Sequence, residues 1–276
     1  MIENKTFLFK KLLLFTAISL LFVANLIAQQ TKEELSKQAA NPLADLMSFP
    51  FQNNLNMNYG EFNRNLNVLN FQPVIPFGLD NATIITRTIL PFMNIPDFSS
   101  ESGTYSSGLG DIVFTAFYAP TGKTTWGIGP VIELPTGGPE RGTEKWSTGP
   151  SFVILVQPGN WTFGTIINNT WSFAGEEDRE DVNHMLLNLF IVKQLGNGWY
   201  ANSAPIITAD WTAESDQQWI VPIGFGGGKL SMIGGKLPVN LQTQLYYNVV
   251  RPDFGPEWQW RFQLQILLPK SILTKK

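Results

Sequence analysis

The stretch Glu257–Leu268, EWQWRFQLQILL, alternates polar and apolar side chains almost without a break. Glu257, Gln259, Arg261, Gln263 and Gln265 share one parity; Trp258, Trp260, Phe262, Leu264, Ile266 and Leu268 share the other. Successive side chains of a strand point to opposite faces, so this segment predicts one wet wall and one greasy wall. Both Trp open the apolar wall, and no polar residue follows on it. That profile suits a strand whose outer side enters lipid from an aromatic interface.

Composition agrees. Charged residues make up 15% of the 276-residue chain and aromatics 13%, whereas soluble domains carry about a quarter charged residues. A net charge of −3 argues against nucleic acid as a partner, since phosphate binding needs clustered Lys and Arg. With no cysteine, disulfides, thiolate metal sites and lipidated Cys are excluded. Residues 1–28 read as an export signal: Lys5, Lys10 and Lys11 precede the apolar Leu12–Ile27, and Ala28 precedes polar Gln29. An uncleaved anchor helix is the alternative, because Leu26 is large for its place before the cut. Beyond Ala28 no apolar run reaches the roughly 18 residues of a spanning helix. An exported chain with a lipid-facing strand then leaves one solution, a closed barrel, which satisfies every backbone group in a bilayer.

The expected fold is therefore all-β: a transmembrane antiparallel up-and-down barrel of about 12 strands with a short N-terminal helical segment. Strands are expected near Asn53–Glu61, Asn65–Phe77, Ala82–Phe92, Gly108–Ala119, Thr124–Leu134 and Lys145–Gln157. The second half continues with Trp161–Phe173, Val182–Gln194, Trp199–Trp211, Gln218–Ser231, Pro238–Val249 and Glu257–Leu268. Tight linkers rich in Gly, Pro or Asn alternate with mostly longer, charged ones, such as Ala174–Asp181. Short turns in the periplasm and long loops outside would produce that order. Trp126, Trp161 and Trp199 fall at the short-turn side; Trp146, Trp171, Trp211, Trp219, Trp258 and Trp260 fall at the other. Thr31–Met47 reads as helical with a break at Pro42. The expected division is residues 1–28 signal, 29–50 helical periplasmic or plug segment, 51–270 barrel and 271–276 tail.

Parity also predicts the lumen. Asn240, Gln242, Gln244, Tyr246 and Asn248 form an uncharged polar inner wall, as do Asn54, Asn56 and Asn58. Inner charges are few: Arg87, Asp111, Glu133, Asp210, Glu257 and Arg261. Arg87, Asp111, Glu133, Asp210 and Arg261, with the single histidine His184, are the candidate constriction residues. Ser172 shares the parity of His184, so a lipid hydrolase deserves weighing. Both residues face inward, away from lipid, and the expectation is no enzyme. The acidic run around Glu176 and Asp181 lacks metal-ligand spacing, so no metal and no cofactor are expected. Asp45 is the candidate plug residue facing the lumen. Gly224, Gly226, Gly227 and Gly228, with Pro222, would open a lateral gap or simply curve the barrel.

The runs NPLADLMS (Asn41–Ser48), PFQNN (Pro50–Asn54), NFQPVIP (Asn70–Pro76), TRTILP (Thr86–Pro91), GLGD (Gly108–Asp111) and WSFAG (Trp171–Gly175) carry a resemblance. Together they resemble a family of bacterial outer-membrane proteins labelled "transporter" or "neuromedin U", related to the barrels of the meta-pathway of phenol degradation. The resemblance implies an outer-membrane channel of Gram-negative type for small solutes, hydrophobic or aromatic ones among them. It carries no agreed substrate or catalytic residue. The implied partners are outer-membrane lipid, a small-molecule solute and the barrel-assembly machinery. The chain departs from many barrels in ending LLPKSILTKK, without a terminal aromatic. The alternative to a channel is a non-conducting structural or surface-interaction barrel.

Overall fold

The structure is a computed structural model that describes residues 32–122 and 125–269. The expected export signal and the tail 271–276 lie outside the described residues. Helix α1 (Lys32–Ala39) is followed by strands β1 (Leu46–Tyr59), β2 (Arg64–Phe71), β3 (Val74–Gly78), β4 (Ala82–Pro96), β5 (Tyr105–Leu109) and β6 (Ile112–Pro120). Then come β7 (Thr125–Leu134), the one-turn α2 (Gly138–Arg141), β8 (Lys145–Val156), β9 (Trp161–Gly175) and β10 (Asn183–Gly196). The chain continues through β11 (Trp199–Ser203), β12 (Ile206–Asp210), β13 (Trp219–Ile233), β14 (Leu237–Val250) and β15 (Trp258–Pro269).

These segments form one antiparallel sheet that closes on itself. β15 pairs with β1 from Met57↔Trp258 to Leu46↔Pro269, and β9 pairs with β10 on the far side. Three of the twelve staves are broken in two, which yields the fifteen segments. At Gln72–Pro73 and Ala204–Pro205 the register with the neighbours is the same on both sides of the break. Proline lacks the N–H that a ladder needs, so the ladder stops there without a shift. At Gly110–Asp111 the register against β4 advances by one residue, from Phe92↔Leu109 to Ile89↔Val113. That is a bulge.

The parity reading holds along the walls. Arg261 and Gln265 are buried while Trp260 and Phe262 are about half exposed. On β14, Asn240, Gln244, Tyr246 and Asn248 are buried and Leu241, Leu245 and Tyr247 are exposed. The exposed side forms a band of large apolar residues with Trp toward both rims, the profile a bilayer demands. At the end with short turns, β10 passes to β11 through Gly196, Asn197 and Gly198, all at positive φ.

The N-terminal segment differs from expectation. The helix ends at Ala39, and β1 begins at Leu46 rather than Asn53. Leu46 and Met47, read as helical, are strand residues paired to Pro269 and Leu268, because β15 extends far enough to hold them. The barrel therefore starts before residue 51. Between helix and strand, the Asn41 side chain accepts a bond from the Leu43 amide at 2.8 Å and shapes a turn. β4 runs on to Pro96, beyond the expected Phe92, and leaves a correspondingly shorter loop.

The barrel's curvature leans on close backbone approach at Gly129, where any Cβ would lie 1.7 Å from the Ala116 carbonyl oxygen. Replacing Gly129 with Val is expected to force β6 and β7 apart, at a cost of about 1–3 kcal/mol. Gly122, with open space around it, serves as the neutral comparison. Heat-modifiable electrophoretic mobility of the two variants measures the difference: Gly129→Val loses the folded band at lower temperature, and Gly122→Ala matches the parent.

Candidate functional site: the barrel lumen

The staves enclose a cavity of about 860 Å³. Its two sides differ chemically because neighbouring staves contribute different inner faces. β1, β14 and β15 supply amides, among them Gln52, Asn54, Gln244, Gln263 and Gln265. Farther round the wall β4, β6, β7, β9 and β10 supply Ile85, Phe117, Val131, Ile166 and Phe190. The cavity is amphipathic in cross-section.

Its floor is the N-terminal segment. Leu43 enters a buried cluster with Ile85, Phe117, Val153 and Phe190, and Leu35 and Ala44 join Leu230 and Leu267 in a second. Helix α1 is held at the short-turn end by polar contacts: Ser36 Oγ donates to Gln194 at 2.8 Å, and Lys37 Nζ donates to the Gly159 carbonyl at 2.5 Å. Asn197 N donates to Glu33 at 2.7 Å, completing the dock. Asp45 is exposed and does not line the cavity. The reason is the turn at 41–44, which sends Leu43 and Ala44 inward and leaves Asp45 on the outside.

The candidate charges separate into two groups and one outlier. Arg87 Nη2 donates to Gln72 Oε1 at 2.6 Å. Arg261, 4% exposed, donates to Asn54 at 3.0 Å, to Gln259 at 3.0 Å, to Gln244 at 3.3 Å and to the Ala204 carbonyl at 2.9 Å. Its guanidinium also lies 5.1 Å from the Tyr246 ring centroid. On the opposite side Glu133 accepts from Thr170 at 3.2 Å and lies within electrostatic reach of His184. His184 Nε2 stands 3.6 Å from Asp210 Oδ2. Cations thus line one side of the lumen and carboxylates the other, a transverse separation of charge.

Asp111 is the outlier. Its carboxylate accepts from Gly137 N at 2.9 Å, Thr143 N at 2.7 Å and Thr143 Oγ1 at 3.0 Å, and it is absent from the cavity wall. The bulge at Gly110–Asp111 removes it from the lumen and places it under the loop between β7 and β8. Ser172 is likewise engaged elsewhere, donating to Asp181 at 3.0 Å and accepting from the Val182 amide at 3.0 Å. His184 pairs with Asp210 instead, so the Ser–His arrangement weighed from the sequence is not assembled.

The glycine-rich strand β13 behaves differently on its two edges. Toward β14 the ladder runs unbroken from Pro222 to Ile233, and a Cβ at Gly226 would meet the Thr243 carbonyl at 1.9 Å. Close packing and curvature account for the glycines there. Toward the other neighbour, pairing occurs at Trp199–Asn202 and again at Thr208 and Ala209, with no ladder pair between. In that gap the backbone turns its polar groups into the lumen. Ala204 N donates to the Tyr246 hydroxyl at 2.9 Å, Arg261 donates to the Ala204 carbonyl, and Asn188 Nδ2 donates to the Pro205 carbonyl at 2.9 Å. Ser203 Oγ bridges to the Gly224 carbonyl at 2.6 Å. Ala204, Ile206 and Pro222 bring the cavity to this seam.

At the long-loop rim Arg64 ties the loop 97–104 down through the carbonyls of Ser100, Glu101 and Gly103, at 2.5, 3.0 and 2.7 Å. Ser99 hydrogen bonds hold the Asp97 carboxyl below its ordinary range, side chain first and amide second.

Parity assigns Arg87, Glu133, His184, Asp210 and Arg261 to the inner face, and all five border the cavity. It missed Leu35, Leu43 and the Ala204–Pro205 break. Pro205 inside an alternating run is the available signal for the break. Removing the Asp111 carboxylate leaves the loop amides without their acceptors, at about 1–3 kcal/mol. Asp111→Ala is therefore expected to speed hydrogen exchange at the Gly137 and Thr143 amides while the barrel amides stay protected.

Among solved structures, an outer membrane channel from Pseudomonas putida F1 is similar at a TM-score of 0.62 and 16% identity, over 81% of this chain and 94% of that one. The NanC porin is similar at a TM-score of 0.50 and 8% identity, over 80% and 98%. Identities this low bear on the fold, and the shared fold is the closed barrel. No curated protein matches the sequence. The family model "Putative MetA-pathway of phenol degradation" matches residues 48–230, most of the described barrel, and this chain belongs to that family.

Proposed function

We propose that this chain is an outer-membrane channel for small solutes, with partly apolar or aromatic compounds as its preferred class. One observation carries the reading: a barrel with a greasy exterior encloses a cavity of about 860 Å³ that is amide-lined on one side and apolar on the other. A purely structural barrel has no need of such a space, and small-molecule sites typically span several hundred Å³ with few placed polar groups. The family's phenol-degradation description and the similar outer membrane channel support the same class of cargo and the same membrane. In this reading residues 1–28 direct export, the short turns face the periplasm, and the charged loops face outside. Greasy solutes have two exits, past the floor or through the unpaired seam between β12 and β13.

A sealed barrel is the second reading, favoured by the docked floor of Leu35, Leu43 and Ala44. Deleting residues 32–44 separates the two. The channel reading predicts conduction by the parent in planar bilayers and a severalfold larger single-channel conductance in the deletion. A parent that never conducts, with a deletion that does, would establish the sealed form instead. Swelling of liposomes in small neutral solutes gives an independent readout.

A further inference from the structure

We propose that Arg87 and Arg261 form an anion subsite in the lumen that takes the carboxylate of a small, mainly apolar acid. This deepens the channel reading and rests on it for its physiological meaning. Five ion pairs occur among the described residues, and neither arginine belongs to any of them. The hydrogen-bond and ring partners of the two guanidiniums are all neutral: amide side chains, a backbone carbonyl and an aromatic ring. Both line the same cavity, Arg87 from β4 and Arg261 from β15. Two like charges enclosed together, with no carboxylate between them, are costly unless something negative arrives.

The two residues divide the work. Arg261 spends most of its N–H donors on Asn54, Gln244, Gln259 and Ala204, so it is a fixed source of positive field. Arg87 makes one such bond, to Gln72, and keeps most of its donor fork for the cavity it lines. A planar guanidinium with free donors matches a carboxylate in bidentate geometry. Glu133 and Asp210 stand on the far side of the lumen and turn an anion toward the arginines. Ile89 and Val113, which line the cavity beside Arg87, and Phe117 on the same wall would receive the rest of the molecule. An aromatic or short-chain monocarboxylate fits both halves. The uncharged amide wall, taken alone, would point to neutral cargo.

Benzoate and benzyl alcohol, alike in size and different in charge, provide the test. Calorimetric titration of the full-length barrel in detergent, with folding verified by heat-modifiable migration, is expected to show benzoate binding at least about tenfold more tightly. Arg87→Gln is expected to abolish the preference and Arg87→Lys to restore part of it. Equal affinity for both probes in the parent overturns the proposal, whatever the variants do, and so does an undiminished preference in folded Arg87→Gln. Conductance recorded on the same preparation keeps the two readings apart. A barrel that prefers benzoate and passes no current upholds the subsite and removes the channel. A conducting barrel without the preference removes the subsite alone.

Discussion

Backbone satisfaction governs this architecture. Each amide left unpaired against hydrocarbon costs several kcal/mol, and a closed ladder meets that demand, with side chains taking over where it is interrupted at Ala204–Pro205. Closure of β15 on β1 over the whole of β15 and twelve residues of β1 supplies the last pairing edge. Side-chain electrostatics is secondary in scale. The Lys145–Asp181 contact, at 3.6 Å with Asp181 largely exposed, belongs to a class worth about 0–1 kcal/mol. The ladder decides the shape, and side chains then decide what the shape contains.

With the wall settled, inner and outer positions answer to different media. Outward residues need only be apolar and fill space, whereas polar inward residues largely partner one another. The inner network shows how strictly: Gln265 donates to Ser48 at 2.7 Å and accepts from Asn240 at 3.0 Å, and Asn240 accepts from Tyr200 at 2.8 Å. The floor obeys the same rule in reverse. Where α1 docks, the inner face turns apolar at Leu230 and Leu267, and Leu35 is fully buried against it.

Most of this is legible because strand parity survives along most of each stave. Strand limits such as Trp161 and Trp199 coincide with turn residues, and the inner faces of β14 and β15 read off by alternation alone. Three things escaped. Asp111 has the inward parity, but one extra residue in the bulge beside it reverses the face it presents. Asp45 was placed by assuming a helix where the chain makes a turn. The early start of β1 was hidden because Leu43–Met47 suits either a helix or a strand, and pairing with the far end of β15 decides between them. The last two depend on contacts between opposite ends of the sequence, which no local pattern encodes. The two proline breaks leave no mark on register, so staves counted by parity came out at the right number despite them.

The Ala204–Pro205 break has a mechanical consequence. Elsewhere the cylinder is stiff, since each stave is riveted to its neighbours by many parallel bonds that share any load. Along this line the fastening passes to a handful of side chains, Asn188, Arg261, Tyr246 and Ser203. Compliance there is set by residues that evolution can exchange one at a time, so the softness of one flank can be tuned while the remainder stays rigid.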